Sequence, residues 1–112
     1  MSRVFGLVGQ HLGHSFSKNY FEQKFSKESL SNCSYTNFEL PDIGRIQTVF
    51  ELTGLCGLNV TIPYKESVIP YLDELDLAAA EIGAVNTICI KSDGKKIGYN
   101  TDYIGFLKSL QQ

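Results

Sequence analysis

Asn59, Thr61 and Lys65 are the residues best placed, by type and spacing, to do chemistry; they lie in the run Gly57-Leu58-Asn59-Val60-Thr61-Ile62-Pro63-Tyr64-Lys65. Side chains two apart on a strand share a face, so Asn59 and Thr61 present an amide and a hydroxyl together. Pro63 lacks an N–H and biases Ile62 toward extended backbone, so the strand ends there. Lys65 falls on the following turn, beside the polar pair. A cation next to neutral hydrogen-bonding groups at a strand mouth suits a small polyol or acid. The run also reads as a solvated strand end with a surface lysine. A second pair, Ser15 and Ser17, lies in a loop leading into a helix. Two hydroxyls, backbone N–H groups and the positive helix end suit a carboxylate there. Taken alone, Ser17 reads first as a plain N-cap. Asp102 reads either as the partner of Lys65 in proton transfer or as a favourable charge in the first turn of a helix.

The elements that must carry these groups alternate. Arg3 to Gly9 reads as a buried strand, apolar at Val4, Phe5, Leu7 and Val8. Ser17 caps a helix over about Lys18 to Leu30, with Phe21 and Phe25 on one side. Tyr35 to Leu40 reads as a strand. Pro41-Asp42 then opens a helix with Ile43, Ile46 and Phe50 inward, stopped by Gly54. Leu55 to Thr61 is a third strand, and Tyr64 to Leu72 a short helix interrupted by Pro70. Asp76 caps a helical turn or two that ends at Gly83. Ala84 to Ile90 and Lys96 to Tyr99 flank Ser92-Asp93-Gly94-Lys95, where Asp-Gly signals a tight hairpin. Asn100 or Thr101 caps a last helix with Ile104, Leu107 and Leu110 inward. This alternation predicts an α/β domain, a three-layer αβα sandwich with a mostly parallel sheet and one antiparallel hairpin. Ligands of such open sheets bind at the carboxyl ends of strands.

Four motifs fall at those ends. They are Gly9-Gln10-His11-Leu12-Gly13-His14-Ser15-Phe16-Ser17-Lys18-Asn19, the Asn59 run, Gly83-Ala84-Val85-Asn86-Thr87, and Gly98-Tyr99-Asn100-Thr101-Asp102-Tyr103-Ile104-Gly105. In them the chain resembles shikimate dehydrogenase, whose pattern runs G-x-P-I-x-H-S-x-S-P, G-x-N-V-T-x-P-x-K, G-A-V-N-T and G-x-N-T-D-x-x-G in the same order. The resemblance covers essentially the whole chain. His11 and Lys18 stand where that pattern has proline, which puts in question the stiffness of the loop rather than the chemistry.

The resemblance implies that residues 1–112 are the substrate-binding domain of an NADP-dependent enzyme that reduces 3-dehydroshikimate to shikimate, in aromatic amino-acid biosynthesis. It implies that Ser15 and Ser17 hold the shikimate carboxylate and that Lys65 is the general acid/base. Asp102 is then its partner on the substrate hydroxyls, and Asn59, Thr61, Asn86 and Thr101 complete the cradle. Two alternatives stay open: a quinate/shikimate dehydrogenase domain, and a non-catalytic small-acid binding module that does not need Lys65.

The remaining composition narrows the classes. The 112 residues suit one domain, with 43% hydrophobic and 20% charged residues, ordinary for a globular protein. A net charge of −2 argues against a nucleic-acid partner. No apolar run approaches the roughly 20 residues that span a bilayer, and the start lacks the apolar stretch of a signal peptide. A cytoplasmic location is expected. Cys33, Cys56 and Cys89 have no metal-ligand spacing and read as buried free thiols. His11 and His14 read as structural, so no metal is expected. Gly6, Gly9 and Gly13 do not form G-x-G-x-x-G, so no residue is assigned to the cofactor. The NADP implied by the resemblance belongs to a nucleotide-binding domain absent from these residues. The chain alone is therefore expected to be inactive, and to self-associate through apolar surface that, by the resemblance, a returning C-terminal segment and that domain would otherwise cover.

Overall fold

The computed structural model describes residues 2–13, 16–30 and 32–101, residues 16 and 17 by their backbone. Its framework is a six-stranded sheet of order β2-β1-β3-β5-β6-β4. The strands are β1 (Arg3–Gly9), β2 (Cys33–Glu39), β3 (Leu55–Val60), β4 (Glu74–Leu75), β5 (Thr87–Ile90) and β6 (Lys96–Tyr99). β1 is apolar on both faces and lies inside the sheet, parallel to β2 and to β3. β5 pairs antiparallel with β3 and with β6, while β4 runs parallel to β6. β5 is thus the one reversed strand, and its amino end lies at the same edge as the carboxyl ends of β1, β2, β3 and β6.

Helices cover both faces. α1 (Phe16–Lys27) seats Phe21 and Phe25 against Phe5 and Tyr35. On the other face α2 (Ile46–Phe50) and α3 (Leu77–Ile82) contribute Ile46, Val49 and Ala79 to a core with Val8, Leu58, Val60 and Ile88. The result is the expected α/β layering. Leu58 and Ile88 are fully buried, and truncation of such a residue to alanine typically costs about 2–5 kcal/mol.

Boundaries differ from expectation for local reasons. α1 starts at Phe16, so Ser17 lies in its first turn rather than at the cap. It stops at Lys27 because Ser29 adopts φ 59°, while Leu30 N–H donates to the Phe25 carbonyl at 2.7 Å and Ser29 N–H to that of Ser26 at 3.1 Å. This reversal satisfies the last carbonyls and ends the helix short of Leu30. The Pro41–Phe50 segment splits into a 3₁₀ turn, Ile43–Arg45, followed by α2. The helix expected from Tyr64 to Leu72 is a series of turns closing in a 3₁₀ turn, Ile69–Tyr71, because Pro70 has no N–H to give. β4 was not foreseen, since two residues show no periodicity. The Asp76 cap and the Gly83 stop occur as expected, with Asp76 Oδ1 accepting from Ala79 N–H at 2.8 Å and Gly83 at φ 78°. The three cysteines are free, but half-buried rather than buried. The final helix, with Ile104, Leu107 and Leu110, lies outside the described residues.

Candidate functional site

Main-chain hydrogen bonds join the motifs into one rim. Thr61 N–H donates to the Val8 carbonyl at 2.9 Å, and Val60 N–H to that of Asn86 at 2.9 Å. Val85 N–H reaches the Lys65 carbonyl at 2.7 Å, and Asn86 N–H the Tyr99 carbonyl at 3.0 Å. Gly9 permits the first junction: a Cβ there would lie 2.6 Å from both Thr61 Cγ2 and Leu12 Cδ2. The second motif therefore closes directly over the end of the first.

Each part of the rim is held differently. Asn59 projects from β3 toward the α1 side of the sheet, in register with Leu7 and Thr87. Its Nδ2 donates to the Tyr35 hydroxyl at 2.7 Å. Beyond β3 the chain turns through a cis Ile62–Pro63 peptide. Tyr64 is buried below this turn and donates its hydroxyl to the Leu40 carbonyl at 2.5 Å. Burial pushes the Tyr64 phenol above its ordinary pKa, with the nearby Asp42 charge adding to the rise. So anchored, the turn carries Lys65 outward, where its side chain is exposed and has no hydrogen bond or ion pair among the described residues.

Opposite this turn lies a polar cluster bonded within itself. Asn86 donates from Nδ2 to the Thr101 carbonyl, and its Oδ1 accepts from Thr101 N–H at 2.9 Å and from the Thr87 hydroxyl at 3.0 Å. The Thr87 and Thr101 hydroxyls lie 3.2 Å apart. Thr87 is 3% exposed, and it stands against Tyr99 on β6. Asn100 donates from Nδ2 to the Ala84 carbonyl at 3.0 Å. The chain leaving β6 is thus clasped immediately before Asp102.

The loop after β1 is fixed by a carboxylate. Glu39 Oε1, at the end of β2, accepts from Leu12 N–H at 2.8 Å and from Gly13 N–H at 3.2 Å. These N–H groups, Leu12 first, hold the Glu39 carboxyl below its ordinary pKa. The clamp supplies the loop restraint that a proline at position 11 would otherwise give. It also decides the cofactor question for this turn. The N–H groups that would meet a dinucleotide pyrophosphate already face a negative charge, so the turn does not fit NADP.

Of the residues expected in the site, Asn59, Thr61, Lys65, Asn86 and Thr101 lie on this one rim. Ser15 and Asp102 lie outside the described residues, as do His14 and the side chain of Ser17. Tyr35, Glu39 and Thr87 were not singled out from the sequence. Thr87 stood inside a motif already noted, but nothing in the spacing ties Tyr35 or Glu39 to another strand's end. Among the described residues no group of three or more His, Cys, Asp or Glu side chains is arranged to hold a metal. No helix there is long and apolar enough to cross a membrane.

A family model described as the shikimate dehydrogenase substrate binding domain matches residues 7–88. The chain belongs to that family. An NADP(+) shikimate dehydrogenase of Chlorobaculum tepidum is 42% identical over 111 residues, covering 96% of this chain and 37% of the relative. Shikimate 5-dehydrogenase from Listeria monocytogenes, solved in complex with shikimate and NAD, superposes with a TM-score of 0.81 at 33% identity, over 98% of this chain and 38% of that one. Quinate dehydrogenase from Corynebacterium glutamicum, in complex with NAD, has a TM-score of 0.79 at 31% identity, over 98% and 41% of the two chains. The chain thus spans well under two thirds of the length of these relatives. What it shares with them is a substrate-binding domain, and the rim described above belongs to that domain.

Proposed function

We propose that residues 1–112 form the substrate-binding and proton-transferring domain of an NADP-dependent shikimate dehydrogenase, acting in the cytoplasm on 3-dehydroshikimate and shikimate. The supporting observation is the junction of the Asn59–Lys65, Asn86–Thr87 and Thr101 segments at one sheet edge, next to the loop that leads to Ser15 and Ser17. In this reading Ser15 and Ser17 take the carboxylate. Asn59, Thr61, Asn86, Thr101 and Asp102 take the ring hydroxyls. The Lys65 ammonium gives a proton to the carbonyl oxygen as the ketone is reduced, and its amine recovers that proton from the alcohol in the reverse direction. Asp102 holds Lys65 and a hydroxyl in line. The nucleotide supplies or accepts the hydride. In this reading the turn after β1, which the Glu39 clamp occupies, does not hold the nucleotide, and residues outside this domain do.

Isothermal titration of the 112-residue chain tests this reading. Shikimate should bind, and Lys65→Ala together with Ser15→Ala should abolish the heat. The chain alone should not reduce NADP with shikimate. Binding that survives both substitutions would refute the assignment. The similarity to a quinate dehydrogenase favours a second reading, in which quinate is the better ligand. The same titration with quinate separates the two by the ratio of dissociation constants.

A further inference from the structure

We propose that Tyr35 is a positioning residue of this site: it turns the Asn59 amide so that the carbonyl oxygen faces the ligand and accepts a hydrogen bond from a ligand hydroxyl. The proposal rests on the reading of Asn59 as a ligand contact, and it assigns the polarity of that contact and the group that sets it.

Tyr35 lies on β2 and Asn59 on β3, the two strands that flank β1. Phe5 of β1 is in register with Tyr35 on one side and with Gly57 on the other, so Tyr35 and Asn59 project from the same face and Tyr35 reaches across β1. The ring has little freedom. It is 3% exposed and stacks on Phe21 with centroids 4.9 Å apart and planes 19° apart. A fixed ring gives a fixed oxygen, and that oxygen accepts from Asn59 Nδ2 at 2.7 Å.

An asparagine amide is nearly symmetric in shape, and χ2 rotation exchanges its donor and acceptor ends at small steric cost. The Tyr35 hydroxyl can accept or donate, so what breaks that symmetry is the sense of the bond: Nδ2 donates, and the Tyr35 O–H is turned away from Asn59. With Nδ2 anchored on Tyr35, Oδ1 lies on the opposite side of the amide, and among the described residues no donor reaches it. A carbonyl oxygen in that place accepts from a hydroxyl and repels a carboxylate or a ketone oxygen. At this position the site therefore recognises a hydroxyl of a polyhydroxylated ring rather than the oxidised carbon or the acid group. The hydroxyl of Tyr35 thereby influences orientation of the ligand without touching it.

A double-mutant cycle on shikimate binding to the 112-residue chain, followed by two-dimensional NMR, tests this. Tyr35→Phe keeps the stacked ring and removes only the oxygen. It should weaken shikimate binding about 3- to 10-fold, the range expected for one hydrogen bond. Asn59→Ala should weaken it at least as much, and Tyr35→Phe should then have no further effect. Without ligand, Tyr35→Phe should move the Asn59 side-chain amide resonances. In the unsubstituted chain the Asn59 proton bonded to Tyr35 should persist when shikimate binds, while the Asn59 carbonyl carbon shifts. An unchanged affinity in Tyr35→Phe would overturn the proposal, as would an equal loss in the Asn59→Ala background or loss of the bonded proton on binding. If the unsubstituted chain does not bind shikimate, or if Asn59→Ala binds it normally, the functional reading fails and this proposal falls with it.

Discussion

Lys65 and Asn86 follow neighbouring segments of the same sheet edge and use their polar atoms in opposite ways. Asn86 commits its amide to Thr101 on both sides and to the Thr87 hydroxyl. Lys65 commits only its backbone, through the bond from Val85 N–H, and leaves its ammonium exposed and without a partner among the described residues. The difference separates two kinds of polar residue in one rim. Groups satisfied within the protein hold the rim in shape, and losing one leaves partners unpaired. Groups left open are available to a ligand, and losing one should harm chemistry far more than folding.

The largest effect expected from this contrast is on turnover. In the dehydrogenase that carries this domain, Lys65→Ala should lower kcat by about 10²–10⁴-fold, the usual worth of a positioned proton-transfer group. Thermal unfolding of the same variant should change by no more than about 0.5 kcal/mol, as for a substitution outside the core. A large stability loss would put Lys65 in the same class as Asn86 and dissolve the comparison.

Asn86→Ala should cost stability as well as a ligand contact, because only the second Nδ2 proton of Asn86 is left open to a ligand. It leaves the Thr101 N–H and carbonyl unpaired and the Thr87 hydroxyl with only that of Thr101, a loss of about 1–3 kcal/mol. For a domain of this size that is a fall in Tm of roughly 4–8 °C per kcal/mol. Thr87→Val, which keeps the shape and removes one hydroxyl, should cost about 1 kcal/mol, with Thr87→Ser restoring most of it. Differential scanning calorimetry of the three variants gives the order directly. An Asn86→Ala protein as stable as the unsubstituted one would mean that the clasp is incidental.

The smallest effect concerns the loop after β1. Glu39 is held below the usual glutamate pKa of 4.5 by its bonds to Leu12 and Gly13. The folded form therefore favours the carboxylate. Its contribution is complete above pH 4.5 and is lost as the pH falls through the lowered folded value. The Leu12 and Gly13 amide protons should move together on acidification, with a midpoint below 4.5. A midpoint at or above that value would show that the clamp does not favour the charged form.

Much of this was legible in the chain. The short apolar run of β1, the Asp76 cap, the Gly83 stop and the Asp93-Gly94 hairpin turn are local signals, and each appears where the residues place it. The motif at Asn59–Lys65 was recognisable because strand alternation and proline punctuation act within a few residues. What stayed hidden depends on pairing across the sheet. Glu39 reaches Leu12 and Tyr35 reaches Asn59 only because β2, β1 and β3 lie side by side in a set register. That register is fixed by the whole core, and no spacing along the chain encodes it. The early stop of α1 was missed for another reason, since Ser29 takes a left-handed conformation usually filled by glycine.

The most direct test of the central claim is a residue-by-residue NMR titration of the chain with shikimate. Shifts should concentrate at Asn59, Thr61, Lys65, Asn86 and Thr101, with Ser15, Ser17 and Asp102 following the same binding curve. The clearest competitor is the groove of about 440 Å³ between α1 and β2, lined by Glu22, Phe25, Ser26, Leu30 and Tyr35 among others. Shifts confined to that groove, with the rim silent at saturating shikimate, would contradict the account.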